Sequence, residues 1–524
     1  MAEHGSFGMS IAVEPPRARA IVRSPTGITA FVGRTLKGPP DRPVHLASFG
    51  EFQQVFGGLW QPSTLSYAIE QYFESGGRRA IVVRVANGAR GPTLALPAAS
   101  SELQLIGVNP GSREYLRAAV DYDGIPERDV ESFNLVLQRL RLPGSEQIED
   151  QEIYRGVSIE RLRDLLLGSH LMRVQGVIPA SRPNRTSSGS DRAVSYVSSR
   201  FDADDGAPLS DYDVIGSAAA STGLFALRPE DAFDLLCIPP LSRDHDTGLA
   251  TLLVAARLCH DRHAMLVVDP PACWSSPAEA LAGMRNWPFR SPHAMMFFPR
   301  IAAFDKLRNR AETFGSAAAA AGMLSRADHA LPVWAPAEPE EQILRPSIKV
   351  AGAVTDSERS RLAQAGINTL QSIRSSGRDR ISLCTLAPSG SRGWRDLAER
   401  RLALFVLASI ERGTQWICSA ASNPVTWRLA QAEVEQFLEE LHRDGAFAGS
   451  RSEESYLVVC DERVNHAESV AQGRTQLLVG IATAKPVVFR AWMIIYQREG
   501  SHTRAVAVNP LAMAAQAVAA EPAC

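Results

Sequence analysis

Cys259, His260, Asp261 and His263 gather potential metal ligands into one short stretch, and such side chains can surround a zinc ion. Their spacing suits no zinc-binding helix, H-E-x-x-H occurs nowhere, and the group falls where an apolar helical run ends. It therefore reads as the polar end of a helix. Asp269 follows the apolar run HAMLVV and precedes Pro270 and Pro271, the end of a strand where α/β folds place functional carboxylates. No second carboxylate or base stands in register with it, and two prolines also simply stop a strand. Asp461 and Glu462, after LVVC, read as a strand end or subunit contact, and Arg400 and Arg401 beside Glu399 as a solvated helix start or an intersubunit salt bridge. The SGSRG run around Ser391 lacks the G-x-S-x-G spacing and a preceding strand, so it reads as a loop. Neither G-x-x-x-x-G-K-[ST] nor a strand followed by G-x-G-x-x-G is present, which removes the backbone cradle that nucleotide phosphates need. No catalytic, cofactor-binding or metal-ligating residue is assigned, and no cofactor is expected.

The elements around these residues describe a large protein without a charged partner class. At 524 residues and 45% hydrophobic content, the chain exceeds one compact core. Lys+Arg 55 against Asp+Glu 57 leaves a net charge of -2, so bulk charge recommends neither nucleic acid nor an anionic membrane. The longest apolar stretch, Leu402 to Ile410, is much shorter than a bilayer span of about 20 residues. The N-terminus lacks the basic and apolar regions of a secretion signal. Seven scattered cysteines, several inside apolar runs, read as reduced thiols of a protein made in the cytoplasm.

Periodicity and breakers divide the chain. Residues 1–24, with Pro15 and Pro16, form an extended arm. ITAFVG, a helix opening at Ser63 and ended by Gly76 and Gly77, and AIVVRV give strand, helix, strand. Residues 25–90 and 211–353 are assigned to a central α/β domain, with FDLLCIPP, TGLATLLVAARLCHD and HAMLVVDPP resuming the pattern. Residues 91–210 are a β-rich insertion, from REYLRAAVDYDG and SFNLVLQRL. Residues 354–497 are a last domain: a helix opened by the capping box TDSE, an apolar helix RRLALFVLASI, a strand TQWICSA, an amphipathic helix closed by Gly445, and three apolar runs. Residues 498–524 are a tail. The fold class is mixed α/β, multidomain, with extended N- and C-terminal arms.

Several stretches, taken in order, resemble the tail sheath proteins of contractile phages, phage-tail-like bacteriocins and extracellular contractile injection systems. They are GITAFVGRTLKGPPDRPVHLASFGEFQQVFGG, LSYAIEQYFESGGRRAIVVRV, SAAASTGLFAL, FDLLCIPP, AGMLSRADHALPVWAPA (similar to that family's linker), WRDLAERRLALFVLASIERGTQW and FLEELHRDGAFAG. Two features depart from the family. The usual opening is reduced to GMSIAVEPP, and about 28 residues follow the last expected strand.

The resemblance implies a non-enzymatic subunit of a contractile sheath that assembles as stacked hexameric rings around an inner tube and drives it through a target envelope. Its partners would be copies of itself, the inner tube protein, and baseplate and tail-terminator proteins, without nucleic acid or membrane insertion. It would assemble in the bacterial cytoplasm and end in a phage tail or a released particle. An arm that cannot bury its own apolar residues gains stability as a strand on a neighbour's sheet. That role suits Met9, Ile11, Val13 and Ile21 at the N-terminus and Val487, Phe489, Trp492 and Ile494 near the C-terminus. Arg428, Glu435, Glu439 and Arg443, on the polar face of the amphipathic helix, are candidate tube contacts or an ordinary solvated face. Alternatives are a baseplate-end sheath paralogue and an α/β enzyme using the strand-end carboxylates.

Overall fold

The computed structural model describes residues 20–99, 101–187, 195–230, 233–335, 348–375, 378–384, 394 and 397–507. The chain divides into two compact units, Pro25–Arg400 and Met1–Ser24 with Arg401–Cys524.

The larger unit is built on an eight-stranded sheet, ordered Arg378–Cys384, Asn368–Ser375, Ala294–Phe298, Met265–Val268, Leu235–Cys237, Ile28–Gly33, Arg79–Arg84, Val44–Leu46. The inner strands run parallel and the outermost strand at each edge runs antiparallel. Ile28–Gly33, Met265–Val268 and Ala294–Phe298 are buried along their whole length, which requires helices on both faces. Ile28, Ala30 and Val32 share one core with Leu252 of helix Leu249–Asp261, Ala280 of Pro277–Asn286 and Leu362 of Asp356–Gln364. On the other face Phe31 meets Tyr72 of helix Thr64–Glu74 edge-on at 5.2 Å. The two-residue period of a strand produces this split.

Helix Ala317–Ala330 lies beside Thr64–Glu74, and its residues Ala317 to Ser325 are buried. A Cβ on Gly322 would stand 2.3 Å from the Tyr72 carbonyl oxygen, so only glycine permits this approach. The stretch likened to a linker therefore begins inside a core helix, because its small apolar residues pack against a neighbouring helix. The boundary expected at 354 is also displaced. Helix Asp356–Gln364 contributes Leu362 to the larger core, and Asn368–Ser375 extends the parallel sheet through Phe297 and Phe298. This unit ends at Arg400.

Residues of the 91–210 segment form two sheets, Thr93–Pro97, Glu102–Gly107 and Met172–Gln175, and Val197–Ser198, Tyr115–Asp121, Ser132–Leu140 and Ile148–Ser158. They close over a shared core containing Leu94, Leu105, Leu116, Phe133 and Leu162. Polar contacts fix it to the α/β sheet: buried Arg84 donates to the Pro110 carbonyl at 2.7 Å, Arg34 to Gly206 at 2.6 Å, and Lys37 meets Glu149 at 2.9 Å.

In the smaller unit, helix Pro424–Arg443 buries Trp427, Ala430, Val434, Phe437, Leu438 and Leu441, the stripe its spacing predicts. TQWICSA is not a strand: Gln415–Ser419 forms a 3₁₀ turn. Its Trp416 indole donates to Glu433 at 3.0 Å and Ile417 is buried, so two tertiary anchors override β propensity. Four antiparallel strands follow, ordered Tyr456–Val459, Thr475–Ala482, Phe489–Gln497, Gly500–Val506. The segment expected to be a tail from 498 thus supplies the fourth strand, since Arg498 and Glu499 make a tight turn.

Candidate assembly surface

The four-stranded sheet ends at Gly500–Val506, which pairs only with Phe489–Gln497 among the described residues. Ser501 donates to Glu411, and the hydroxyls of Thr414 and Tyr496 lie 2.6 Å apart, so this end of the sheet is held on its own helices. Burial drives the Tyr496 hydroxyl well above its ordinary pKa and keeps it protonated. The strand is mostly exposed, and its outer side presents backbone donors and acceptors on which another strand can dock.

The expected arm residues have diverse fates. Met9, Ile11 and Val13 lie outside the described residues. Ile21 is only 7% exposed and packs against Gly413, where a Cβ would meet it at 2.9 Å. The Ser24 amide donates to Ser409 Oγ at 2.9 Å and Arg23 pairs with Asp444. From Ile21 onward the segment is thus bound to its own unit, where a groove fits its side chain, and is not a free arm. Trp492 and Ile494 are buried in Phe489–Gln497, and Phe489 begins that strand. This strand is paired on both sides within its own chain, so it has no edge to lend to another copy. Val487 precedes it in a left-handed conformation, φ 66°.

Of the four candidate tube contacts, Glu439 is already engaged: it accepts from Ser452 at 2.7 Å, Tyr456 at 3.0 Å and Arg443 at 3.0 Å. Those hydrogen bonds, from Ser452 first, lower its pKa, while burial and then Glu439 push the Tyr456 hydroxyl up to about 12. Arg443 is exposed and paired to Glu439, Arg428 is exposed and donates to the Pro424 carbonyl, and Glu435 accepts from Gln431 at 2.8 Å. Sequence reasoning missed Glu433, a buried carboxylate that accepts from the Trp416 indole; its one signal is its place on the inward stripe, three residues after Ala430 and four before Phe437.

The strand-end carboxylates are tied into local structure. Asp269 is buried and accepts the Ala317 amide at 2.8 Å, capping a helix, and burial raises its pKa. Asp461 chelates its neighbour Arg463 at 2.6 Å. His260 pairs with Asp261 at 3.0 Å, whereas Cys259 is buried in the core and its thiol pKa is raised by burial. Among the described residues no three of His, Cys, Asp and Glu are grouped to hold a metal ion. Arg400 and Arg401 are not a solvated helix start: both are buried, and Arg400 reaches the Pro292 carbonyl at 3.1 Å.

No family model matches this chain, and no curated protein matches it. Solved structures do. The chain is similar to the sheath tail protein Lin1278 from Listeria innocua, at 12% identity and TM-score 0.59, over 92% of this chain and 97% of that one. It is similar to the helical sheath of the anti-feeding prophage in its contracted state, at 17% identity and TM-score 0.52, over 93% and 98%. It is also similar to the contracted PVC sheath complex of an extracellular contractile injection system, at 14% identity and TM-score 0.51, over 93% and 96%. At such identities the likeness is one of fold, and over nearly its whole length this chain has the fold of the sheath proteins of contractile particles.

Proposed function

We propose that this protein is a structural subunit of a contractile sheath, polymerising as stacked hexameric rings around an inner tube and shortening to drive that tube through a target envelope. The observation that carries the reading is the sheath fold extending over both units, with more than nine-tenths of the chain covered. The outer edge of Gly500–Val506 supports it, because a strand whose outer side has no partner among the described residues offers a ready place for a neighbour's segment. Residues 8–19 of an adjacent copy, which alternate apolar positions at Met9, Ile11 and Val13, are the proposed occupant.

Contraction then needs no catalytic step or cofactor. A lattice trapped in an extended packing can pass to one with more buried interface. At about 25 cal/mol per Å² of apolar area, a few hundred Å² gained per subunit supplies several kcal/mol before ordering costs are subtracted. The inner tube, baseplate and terminator proteins are the partners this role requires. Arg428, Glu435 and Arg443 are proposed for the tube-facing surface, while Glu439 serves mainly to hold the helix to Ser452 and Tyr456. Electron microscopy of purified protein tests the reading: hollow tubes or rings are expected, and deletion of residues 1–20 abolishes them while the subunit stays folded. A folded protein that remains monomeric at every concentration and salt would refute it.

A further inference from the structure

The two faces of the four-stranded sheet in the smaller unit are unequally covered. Along Phe489–Gln497, Trp492, Ile494 and Tyr496 turn to one face and are buried, with the Tyr496 hydroxyl against Thr414 beside helix Leu397–Gly413. The alternate residues Phe489, Met493 and Ile495 turn to the other face and are only half-buried. There Leu457, Met493 and Val506 pack, incompletely covered, on a small cluster of Val459, Val464, Leu478 and Ala491. The pairing register places Leu457, Gly480, Ala491 and Val506 in one row across all four strands, so the half-covered face runs the full width of the sheet. An apolar sheet face of this kind is completed by a further layer of structure.

We propose that residues 510–520 of the same chain supply that layer, as a helix laid across this face. Residues 508–524 lie outside the described residues; their sequence and their point of departure select them. Val506 pairs with Ala491, so the chain leaves the sheet next to Phe489, at the border of the half-covered face. Asn509 and Pro510 are a capping residue followed by proline at the first helical position, LAMAAQAVAA is made of helix formers, and Pro522 closes the run. Leu511, Ala514, Ala515 and Val518 fall on one stripe of that helix. Ten residues are too few to stay helical alone in water, so the segment needs a surface to pack on. Its length of about 15 Å matches the roughly 14 Å between the outer strands of a four-stranded sheet. The short tether holds it there at an effective concentration on the order of millimolar, which favours the chain's own tail over a separate partner. With the face closed, the outer edge of Gly500–Val506 is left for a neighbour's segment. The inference concerns the single subunit and goes beyond the assembly reading.

Met493→Cys reports on this face through its rate of alkylation by a maleimide, read by mass spectrometry of the peptide that carries it. In the full-length chain the new thiol is expected to react about tenfold more slowly than in the same chain ending at Ala507. Leu511→Asp combined with Val518→Asp, in the full-length chain, should abolish the protection as truncation does. Cys460, buried in the same unit, is the internal control and stays unreactive while the sheet is folded. Should truncation unfold the sheet, the aspartate pair decides, since it keeps the whole chain. Protection that persists on dilution belongs to the chain's own tail. Equal rates with and without residues 508–524 would show an uncovered face and overturn the inference. Protection that vanishes on dilution would assign the cover to a second copy and overturn it as well. Neither result bears on the sheath reading, which stands or falls by microscopy.

Discussion

His293 Nε2 faces the Arg400 guanidinium at 2.7 Å, while its Nδ1 faces the Ala264 carbonyl at 3.2 Å. This fixes a neutral ring, Nδ1 donating to the carbonyl and Nε2 accepting from arginine. Arg400 is further held over the Trp394 ring at 4.9 Å. Burial, then the Arg400 charge, lowers the His293 pKa to about 3, with His260 and His263 adding to the repulsion.

A pH dependence follows from that depression. The unfolded chain takes up this proton below an ordinary histidine pKa, whereas the folded chain refuses it until about 3. The contribution of His293 is therefore complete above that ordinary value and is lost as pH falls toward the folded one. His293→Gln can still accept from Arg400 but does not titrate. Between neutral pH and pH 4.5 it should lose about 2 kcal/mol less than the starting protein, read from urea midpoints. Equal losses in both proteins would show that the pair does not govern acid sensitivity.

Gly315 lies under the Asp269 carboxylate so closely that a Cβ would stand 2.3 Å from both its oxygens. Gly315→Ala must displace the buried acid from the Ala317 amide, costing about 2–3 kcal/mol. Thermal unfolding should show a clear drop, and an unshifted melt would mean that the carboxylate moves aside without cost.

Ile21 should behave as a core residue. Ile21→Ala empties the space beside Gly413 and is expected to cost about 2 kcal/mol. Removal of residues 1–19 should leave the melt of the subunit nearly unchanged. Calorimetry on both proteins separates the roles: a neutral Ile21→Ala would return this residue to the arm.

A fragment of residues 25–400 should unfold in one cooperative transition. One ending at 353 lacks Leu362 and the strand Asn368–Ser375 and uncovers the Ala294–Phe298 edge. It should aggregate or melt at least several degrees lower. Identical melting of the two fragments would put the boundary back near 354.

Much of the local architecture was legible because its causes are local. Ser63 and Thr355 cap helices by accepting amides three residues on, and both signals stand in the sequence as hydroxyl residues ahead of helical periodicity. The uninterrupted apolar runs ITAFVG and MLVV marked strands covered on both faces. SHTRAV, by contrast, carries no apolar alternation strong enough to mark Gly500–Val506, a strand defined by the partner it pairs with. Of the candidate surface, the polar stripe of Pro424–Arg443 was readable from spacing, but the capture of Glu439 by Ser452 and Tyr456 depends on residues distant in the chain.

The sequence by itself determined where helices and buried strands form, since capping, periodicity and breakers act within a few residues. It also carried the ordered resemblance to sheath proteins. Tertiary structure alone decided which of those elements are shared within one chain. Ile21 fills a niche beside Gly413, Arg400 is buried against His293, and Phe489–Gln497 is flanked on both sides by its own chain. Those outcomes rest on burial and hydrogen bonding between distant residues, and no local pattern encodes which partner arrives.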